Sequence, residues 1–261
     1  MAKKLRIGQI PYLNSVLFYH LLAERDDVSL ETLVPRQLSG AVVEDAVDAG
    51  PVPLVTCWDI QPRYEPLDDF AIATIAKTRS IFLYSKRPLD ELEGATIGVT
   101  GETSTSVRLL NVLLKNVYRV QPSRLTHVDW PSNDAFLLIG DEAILHRHGV
   151  KDYEYMVDLG EVWNDWTGLP FVFARWMVRR DLDESSRQNL VASLAESLES
   201  GWRQFDDVVA AKAHMLNLTI VEAREYLEGF HFRMGEKEHQ AVERFRQFDS
   251  AIHDTSAGAR T

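Results

Sequence analysis

Leu5-Arg6-Ile7-Gly8-Gln9-Ile10-Pro11-Tyr12-Leu13-Asn14-Ser15 and Ala95-Thr96-Ile97-Gly98-Val99-Thr100-Gly101-Glu102-Thr103-Ser104-Thr105-Ser106 follow one plan: a short apolar strand, a small polar loop, then apolar residues at helical spacing. The spacing predicts a helix to about residue 22 after the first loop and to about 117 after the second. Both loops offer hydroxyl and amide groups, and a helix opening there adds unpaired backbone N–H groups at its positive end, which suits a small anion. Taken singly, Asn14, Thr103 and Ser104 are also ordinary helix caps. The repeated plan points instead to a ligand gripped from two sides.

Outward from these units, strand and helix alternate through the first half. Strands are predicted at 5–10, 28–34, 53–56, 71–76, 81–84 and 95–99, with helices at 16–23, 38–49 and 104–117. Further strands are expected at 125–128, 136–139, 153–158 and 171–178. From Asp183 onward the pattern is helical only, at 184–204, 208–216, 219–228 and 235–248, and the residues from Asp254 read as a frayed end. This is an α/β pattern. It predicts a two-lobed clamp with one discontinuous lobe, 1–85 plus 172–261, and a second lobe, 86–171, joined by hinges near 77–84 and 169–175. The ligand is expected in the cleft, at strand carboxyl ends and helix amino ends.

Composition narrows the function classes. The chain has 261 residues, 45% of them hydrophobic, enough for a packed core. Net charge is −11, from 39 acidic and 28 basic residues, which opposes nonspecific binding to nucleic acid. Recognition of an anion must therefore be local, with Arg79, Arg108 and Arg175 as candidate partners or, equally, members of surface ion pairs. No apolar run approaches the roughly 20 residues that span a bilayer. Met1-Ala2-Lys3-Lys4 leads straight into the first strand without the pattern of a secretion signal, so a cytoplasmic protein is expected. The single cysteine, Cys57, ends an apolar strand in this reading and is expected to be a buried hydrophobe rather than a nucleophile.

The common catalytic signatures for nucleotide hydrolysis, dinucleotide binding, zinc hydrolysis and esterase chemistry do not occur. His146-Arg147-His148 alternates in a way that points the two imidazoles apart, so a surface pair is expected rather than a metal site. Thr78-Arg79-Ser80 precedes an apolar strand, where a serine can hydrogen-bond a ligand and an arginine can pair with a carboxylate. Trp163, Trp166, Phe171 and Phe173 are candidates for an aromatic pocket or for core.

Pro11-Tyr12-Leu13-Asn14, Thr78-Arg79-Ser80, Thr103-Ser104-Thr105-Ser106, Leu138-Ile139-Gly140-Asp141, and Asp158-Leu159-Gly160-Glu161 through Thr167-Gly168-Leu169-Pro170-Phe171-Val172-Phe173-Ala174 together resemble one family. It is the chorismate dehydratase family of the futalosine route to menaquinone, and the match is collinear from about residue 5 to 180. The resemblance implies a two-lobed periplasmic-binding-protein-like (type II) α/β fold with a helical C-terminal segment, used by a cytoplasmic hydro-lyase. Chorismate is the implied small-molecule partner and loses water to give 3-[(1-carboxyvinyl)oxy]benzoate. No cofactor, metal, nucleic acid or membrane is implied, and the oligomeric state is left open. By matched motif, Asn14 and Ser80 are the catalytic polar residues, and Tyr12, Arg79, Thr103, Ser104, Thr105, Ser106, Gly140 and Asp141 bind substrate. One segment departs: relatives tend to read Asp-x-Ala-Leu-Val-Pro and then an acidic residue, whereas this chain has Pro51-Val52-Pro53-Leu54-Val55-Thr56-Cys57-Trp58-Asp59. A sister family, dihydroxynaphthoate synthase, carries a histidine base in an Ile-His-Glu setting where this chain reads Ile139-Gly140-Asp141-Glu142.

Removing a ring proton and the adjacent hydroxyl makes the ring aromatic, so such an enzyme needs orientation, a modest base and help for the leaving hydroxyl. Asn14 and Ser80 are poor bases but good hydrogen-bond partners. The base is either a carboxylate, Asp141 or Glu161, or the substrate's own enolpyruvyl carboxylate. A noncatalytic solute-binding protein is the rival expectation, and a ligand sensor the third.

Overall fold

The structure, a computed structural model, describes residues 4–258, with side chains to residue 252. In chain order it contains β1 (Leu5–Gln9), a 3-10 turn (Leu13–Ser15), α1 (Val16–Tyr19), β2 (Val28–Thr32), α2 (Pro35–Val43), β3 (Ala49–Pro53), α3 (Leu54–Ile60), β4 (Tyr64–Thr74), β5 (Ile81–Ser85) and β6 (Thr96–Val99). There follow α4 (Thr105–Leu113), which runs into a π turn (Leu114–Tyr118), β7 (Arg124–His127), β8 (Ala135–Ile139), α5 (Gly140–Leu145), β9 (Tyr155–Asp158), α6 (Leu159–Thr167) and β10 (Phe171–Arg179). The chain closes with α7 (Glu184–Arg203), α8 (Phe205–Met215), α9 (Ile220–Leu227), β11 (Phe230–Arg233) and α10 (Glu236–Gly258).

Two compact units result. The first joins Met1–Ile72 to Phe173–Arg233, and the second joins Ala73–Val172 to Met234–Thr261. The chain passes between the units three times, within β4, within β10 and between β11 and α10. A six-stranded sheet, in the order β11-β4-β10-β3-β1-β2, belongs mainly to the first unit, and a five-stranded sheet, in the order β7-β6-β8-β5-β9, to the second. In the first sheet β1 runs parallel to β2 and β3, while β10 runs antiparallel to β3. The mixed directions follow from β10 re-entering the first unit from the opposite end.

The first unit packs Phe18 against Phe70, Trp176 and Phe232, with ring centroids 5.3 to 6.1 Å apart, and all four rings are buried. In the second unit Tyr84 stacks on Phe136, and Phe136 stacks on Trp130. The second unit also takes α10, although the sequence reading assigned everything after 172 to the first. Aromatic packing decides this. Phe245 is fully buried against Trp163 and Phe171, and Phe248 lies over Trp166 at 4.5 Å. Trp163 also donates its indole N–H to the Pro170 carbonyl at 2.9 Å, so Trp163, Trp166 and Phe171 form core rather than a pocket.

Several predicted elements change type. The strand expected at 53–56 ends at Pro53, where α3 begins. Pro51 and Pro53 both lie within β3, opposite Trp176 and Ala174 of β10, and Pro53 is the N-cap residue of α3. Cys57 therefore lies inside α3, donating its S–H toward the Val52 and Pro53 carbonyls at 3.4 Å, and burial pushes its thiol up to about 12. The helix expected at 38–49 starts earlier, with Pro35 in its first turn, and stops at Val43, two residues before Asp45 turns left-handed at φ 55°. Phe230–Arg233, which lies between the helices expected at 219–228 and 235–248, is an edge strand whose residues alternate buried and exposed. The expected frayed end is helical through Gly258, and residues 1–3 and 259–261 lie outside the described residues. Among the described residues no helix is long and apolar enough to cross a membrane.

Candidate functional site

Strand register gathers four loops of the second unit at one end of its sheet. β6 and β8 are parallel with Val99 beside Leu137, β5 is antiparallel to β8 with Ile81 beside Ile139, and β5 is antiparallel to β9 with Phe82 beside Asp158. Residues 78–80, 100–106, 140–141 and 158–161 thus share the sheet end formed by the carboxyl termini of β6, β8 and β9. Gly140, left-handed at φ 60°, donates its N–H to the Ser80 carbonyl at 2.8 Å, tying two of these loops together.

Asp158 organises the third. Its Oδ1 accepts the N–H groups of Thr78 at 3.0 Å, Gly160 at 2.9 Å and Glu161 at 3.2 Å, and its Oδ2 accepts that of Arg79 at 2.7 Å. The residue is buried and caps α6. Burial pushes its carboxyl above the usual range, an effect opposed by the N–H donors. Arg79 is left-handed at φ 55°. Thr78 and Ser80 are buried; the Thr78 hydroxyl oxygen accepts from the N–H of Ile81 at 2.9 Å, and the Ser80 hydroxyl donates to the Thr78 carbonyl at 3.3 Å.

The fourth loop opens α4. Ser104 occupies the N-cap position without a side-chain capping bond. The hydroxyl oxygens of Thr100, Thr103 and Thr105 are buried and make no hydrogen bond within the protein, although Thr103 is only 7% and Thr105 only 4% exposed. Simple capping therefore does not account for these residues. A buried hydroxyl left without a partner costs about 1–3 kcal/mol, which a fold keeps where a polar ligand meets it. Ser106 is buried one residue further along.

The first unit holds the other expected loop, and here the local structure differs from the reading. The chain after Asn14 forms a 3-10 turn and a four-residue α1 in place of a full helix, too short to set up a helix-end anion site. Ser15 causes the tightening: its hydroxyl oxygen lies 2.7 Å from the Ile10 carbonyl and 2.9 Å from that of Tyr12, and its N–H donates to Tyr12 at 3.1 Å. Tyr12 is buried, and the buried Asn14 Oδ1 has no hydrogen-bond partner in the protein. Tyr12 also lines a cavity of about 240 Å³ with Ile10, Pro11, Tyr19, Thr32 and Lys212.

The three candidate arginines separate. Arg108 is bound bidentately to Asp249 through its Nε and Nη2, whereas the buried Arg175 Nε, on β10 opposite Val52, has no hydrogen-bond partner. Arg79 supplies a main-chain N–H to Asp158. Of the candidate carboxylates, Glu161 is engaged by Lys77 at 2.7 Å, and Asp141 lies in the first turn of α5. His146 rests edge-on against Trp130, its Nδ1 2.9 Å from the Glu142 carbonyl. Thr100 and Lys212 are not among the residues expected at the site from sequence, and Asp158 enters that reading only as the first residue of a matched motif. An aspartate directly before a helical pattern is a recognisable N-cap signal, but nothing local reveals that the same carboxylate reaches back 80 residues to Thr78.

Comparison with known proteins bears on the family and the fold. A family model described as menaquinone biosynthesis matches residues 5–250. A Thermus thermophilus protein named chorismate dehydratase is 27% identical over 260 residues, covering 92% of this chain and 93% of the relative. From the same organism, a 1,4-dihydroxy-6-naphtoate synthase is also 27% identical, covering 92% of each chain. Among solved structures, the periplasmic aliphatic sulphonate binding protein of Escherichia coli superposes with a TM-score of 0.63 at 14% identity, covering 98% of this chain and 89% of that one. The fold is periplasmic-binding-protein-like, and with nearly its whole length matched the chain belongs to the menaquinone biosynthesis family.

Proposed function

We propose that this protein is a chorismate dehydratase, a hydro-lyase that converts chorismate to 3-[(1-carboxyvinyl)oxy]benzoate and water. The observation that carries the reading is the trio of buried, unpartnered hydroxyls of Thr100, Thr103 and Thr105 at the start of α4, on the same sheet end as the loop bearing Ser80. A substrate carboxylate meets these hydroxyls and the free N–H groups of the helix end, which favour negative charge despite the acidic overall composition. Asn14 and Ser80 act as neutral hydrogen-bond partners, holding the hydroxyl that leaves and the charge that develops as the C–H bond breaks.

Aromatisation drives the elimination, so a weak base suffices. That base is a carboxylate, Asp141 or Glu161, or the substrate's own enolpyruvyl carboxylate. The β8–α5 junction carries Gly140 and Asp141, not the histidine of the sister synthase, which favours the dehydratase over that relative.

The direct test is to incubate the purified protein with chorismate and follow ultraviolet absorbance and product mass. An aromatic product one water lighter than chorismate is expected. Tight binding with chorismate recovered unchanged overturns the enzyme reading in favour of a solute-binding protein.

A further inference from the structure

We propose that Asp158 is a positioning residue that sets the catalytic placement of Ser80 by clamping the 78–80 loop from below. The proposal rests on the dehydratase reading for its kinetic consequence, and on geometry alone for the clamp.

Four main-chain N–H groups converge on this one carboxylate, two from α6 and two from the loop. The two loop donors are consecutive, Thr78 and Arg79, and the second belongs to a residue in the left-handed region. A side chain such as arginine is rarely stable there, so the conformation persists only where its surroundings enforce it. Asp158 supplies that enforcement through N–H bonds to both residues, and the bonds to Ser80 then build on it. Thr78 is turned so that its hydroxyl oxygen accepts from Ile81, and Ser80 is delivered to the end of β5 with its carbonyl bound by Gly140. Close approach is built in on the α6 side as well. A methyl group added at Gly160 would lie 2.5 Å from Thr78 Cγ2 and 2.8 Å from the Ala76 carbonyl. Three of the four N–H groups fall on Oδ1 and one on Oδ2, so most of the acceptor capacity of Asp158 goes to the backbone.

Asp158→Asn removes one acceptor oxygen and presents N–H groups to N–H groups. The clamp predicts that the amides of Thr78 and Arg79 lose hydrogen-exchange protection in this variant while those of Leu83 and Phe136, in the adjacent strands, keep theirs. It also predicts a fall in kcat approaching 10²-fold with KM changed little, since a misplacement of about 1 Å can cost that much. Because Asp158 acts through Ser80, adding Ser80→Ala to Asp158→Asn should cost far less than Ser80→Ala costs in the wild type. Should Asp158→Asn fail to fold, Thr78→Val and Gly160→Ala disturb the same loop from two other sides and should give the same kcat-selective loss. Unchanged protection at 78 and 79, protection lost uniformly through the unit, or additive losses with Ser80→Ala would each overturn the clamp. If wild-type protein does not convert chorismate, the functional reading fails on that result, and the exchange measurement still decides the clamp.

Discussion

Arg108 and Asp249, 141 residues apart, are joined by two parallel hydrogen bonds of 2.6 Å, with the Asp249 side chain only 3% exposed. The pair ties α10 to α4, one turn beyond the threonines that open it. Arg108 is one-third exposed, so the bridge is partly screened, but the carboxylate is not. Removing only Arg108 takes both hydrogen bonds of a bidentate cationic partner from that buried carboxylate. Arg108→Ala should therefore destabilise the protein by about 2–4 kcal/mol, while the double replacement Arg108→Met with Asp249→Leu should recover most of the loss. Denaturant unfolding of the two variants checks this, and equal losses in both would mean that the pair contributes through packing alone.

The buried hydroxyls of Thr103 and Thr105 separate binding from stability. Neither makes a bond within the protein, so replacing Thr103 by the isosteric valine should leave the melting temperature unchanged or raise it. Carboxylate binding should weaken by about tenfold, the equivalent of one lost hydrogen bond. Calorimetry on Thr103→Val reads both. A lower melting temperature with unchanged affinity would return these residues to a capping role.

Asn14 offers a sharper kinetic test. Truncation to alanine should depress kcat by about 10²-fold with little change in KM, as expected for one preorganised hydrogen bond. Asn14→Asp keeps the size but places a negative charge beside a dianionic substrate, so its activity should fall at least as far. Full activity in that variant would remove Asn14 from the mechanism.

Cys57 should be chemically silent. Burial raises its thiol from 9.0 to about 12, so native protein should resist alkylation at pH 8 and react only on unfolding. The linkage has a sign: the folded pKa lies above the unfolded value, so this contribution is fully present below about pH 9 and is lost as pH rises toward 12. Cys57→Ala should flatten alkaline unfolding over that window, and rapid labelling of the native thiol would contradict the burial.

Much of the candidate site was legible because its parts are local. Thr103 to Ser106 after an apolar strand, Thr78-Arg79-Ser80 before one, and Gly140-Asp141 at a strand end are patterns of a few residues, and the fold set three of these segments at one sheet end. The first loop read less well. Helical spacing after Asn14 predicts a helix over 16–23, but Ser15 bonds back to Ile10 and Tyr12 and tightens the chain into a 3-10 turn. Residues 54–56 read as strand, yet the strand stops at Pro53 and they form the first turn of α3.

The sequence alone determined the alternation of strands and helices, the α/β class and the polar loops, because hydrophobic period and turn chemistry are properties of adjacent residues. It could not determine partners far apart in the chain. Only the tertiary structure decided that α10 joins the second unit, that Arg108 is consumed by Asp249 while Arg175 Nε has no hydrogen-bond partner, and that Asp158 reaches Thr78 and Arg79. Those outcomes depend on which buried surfaces and charges meet once the sheets close, and that is settled by packing between segments tens to more than a hundred residues apart.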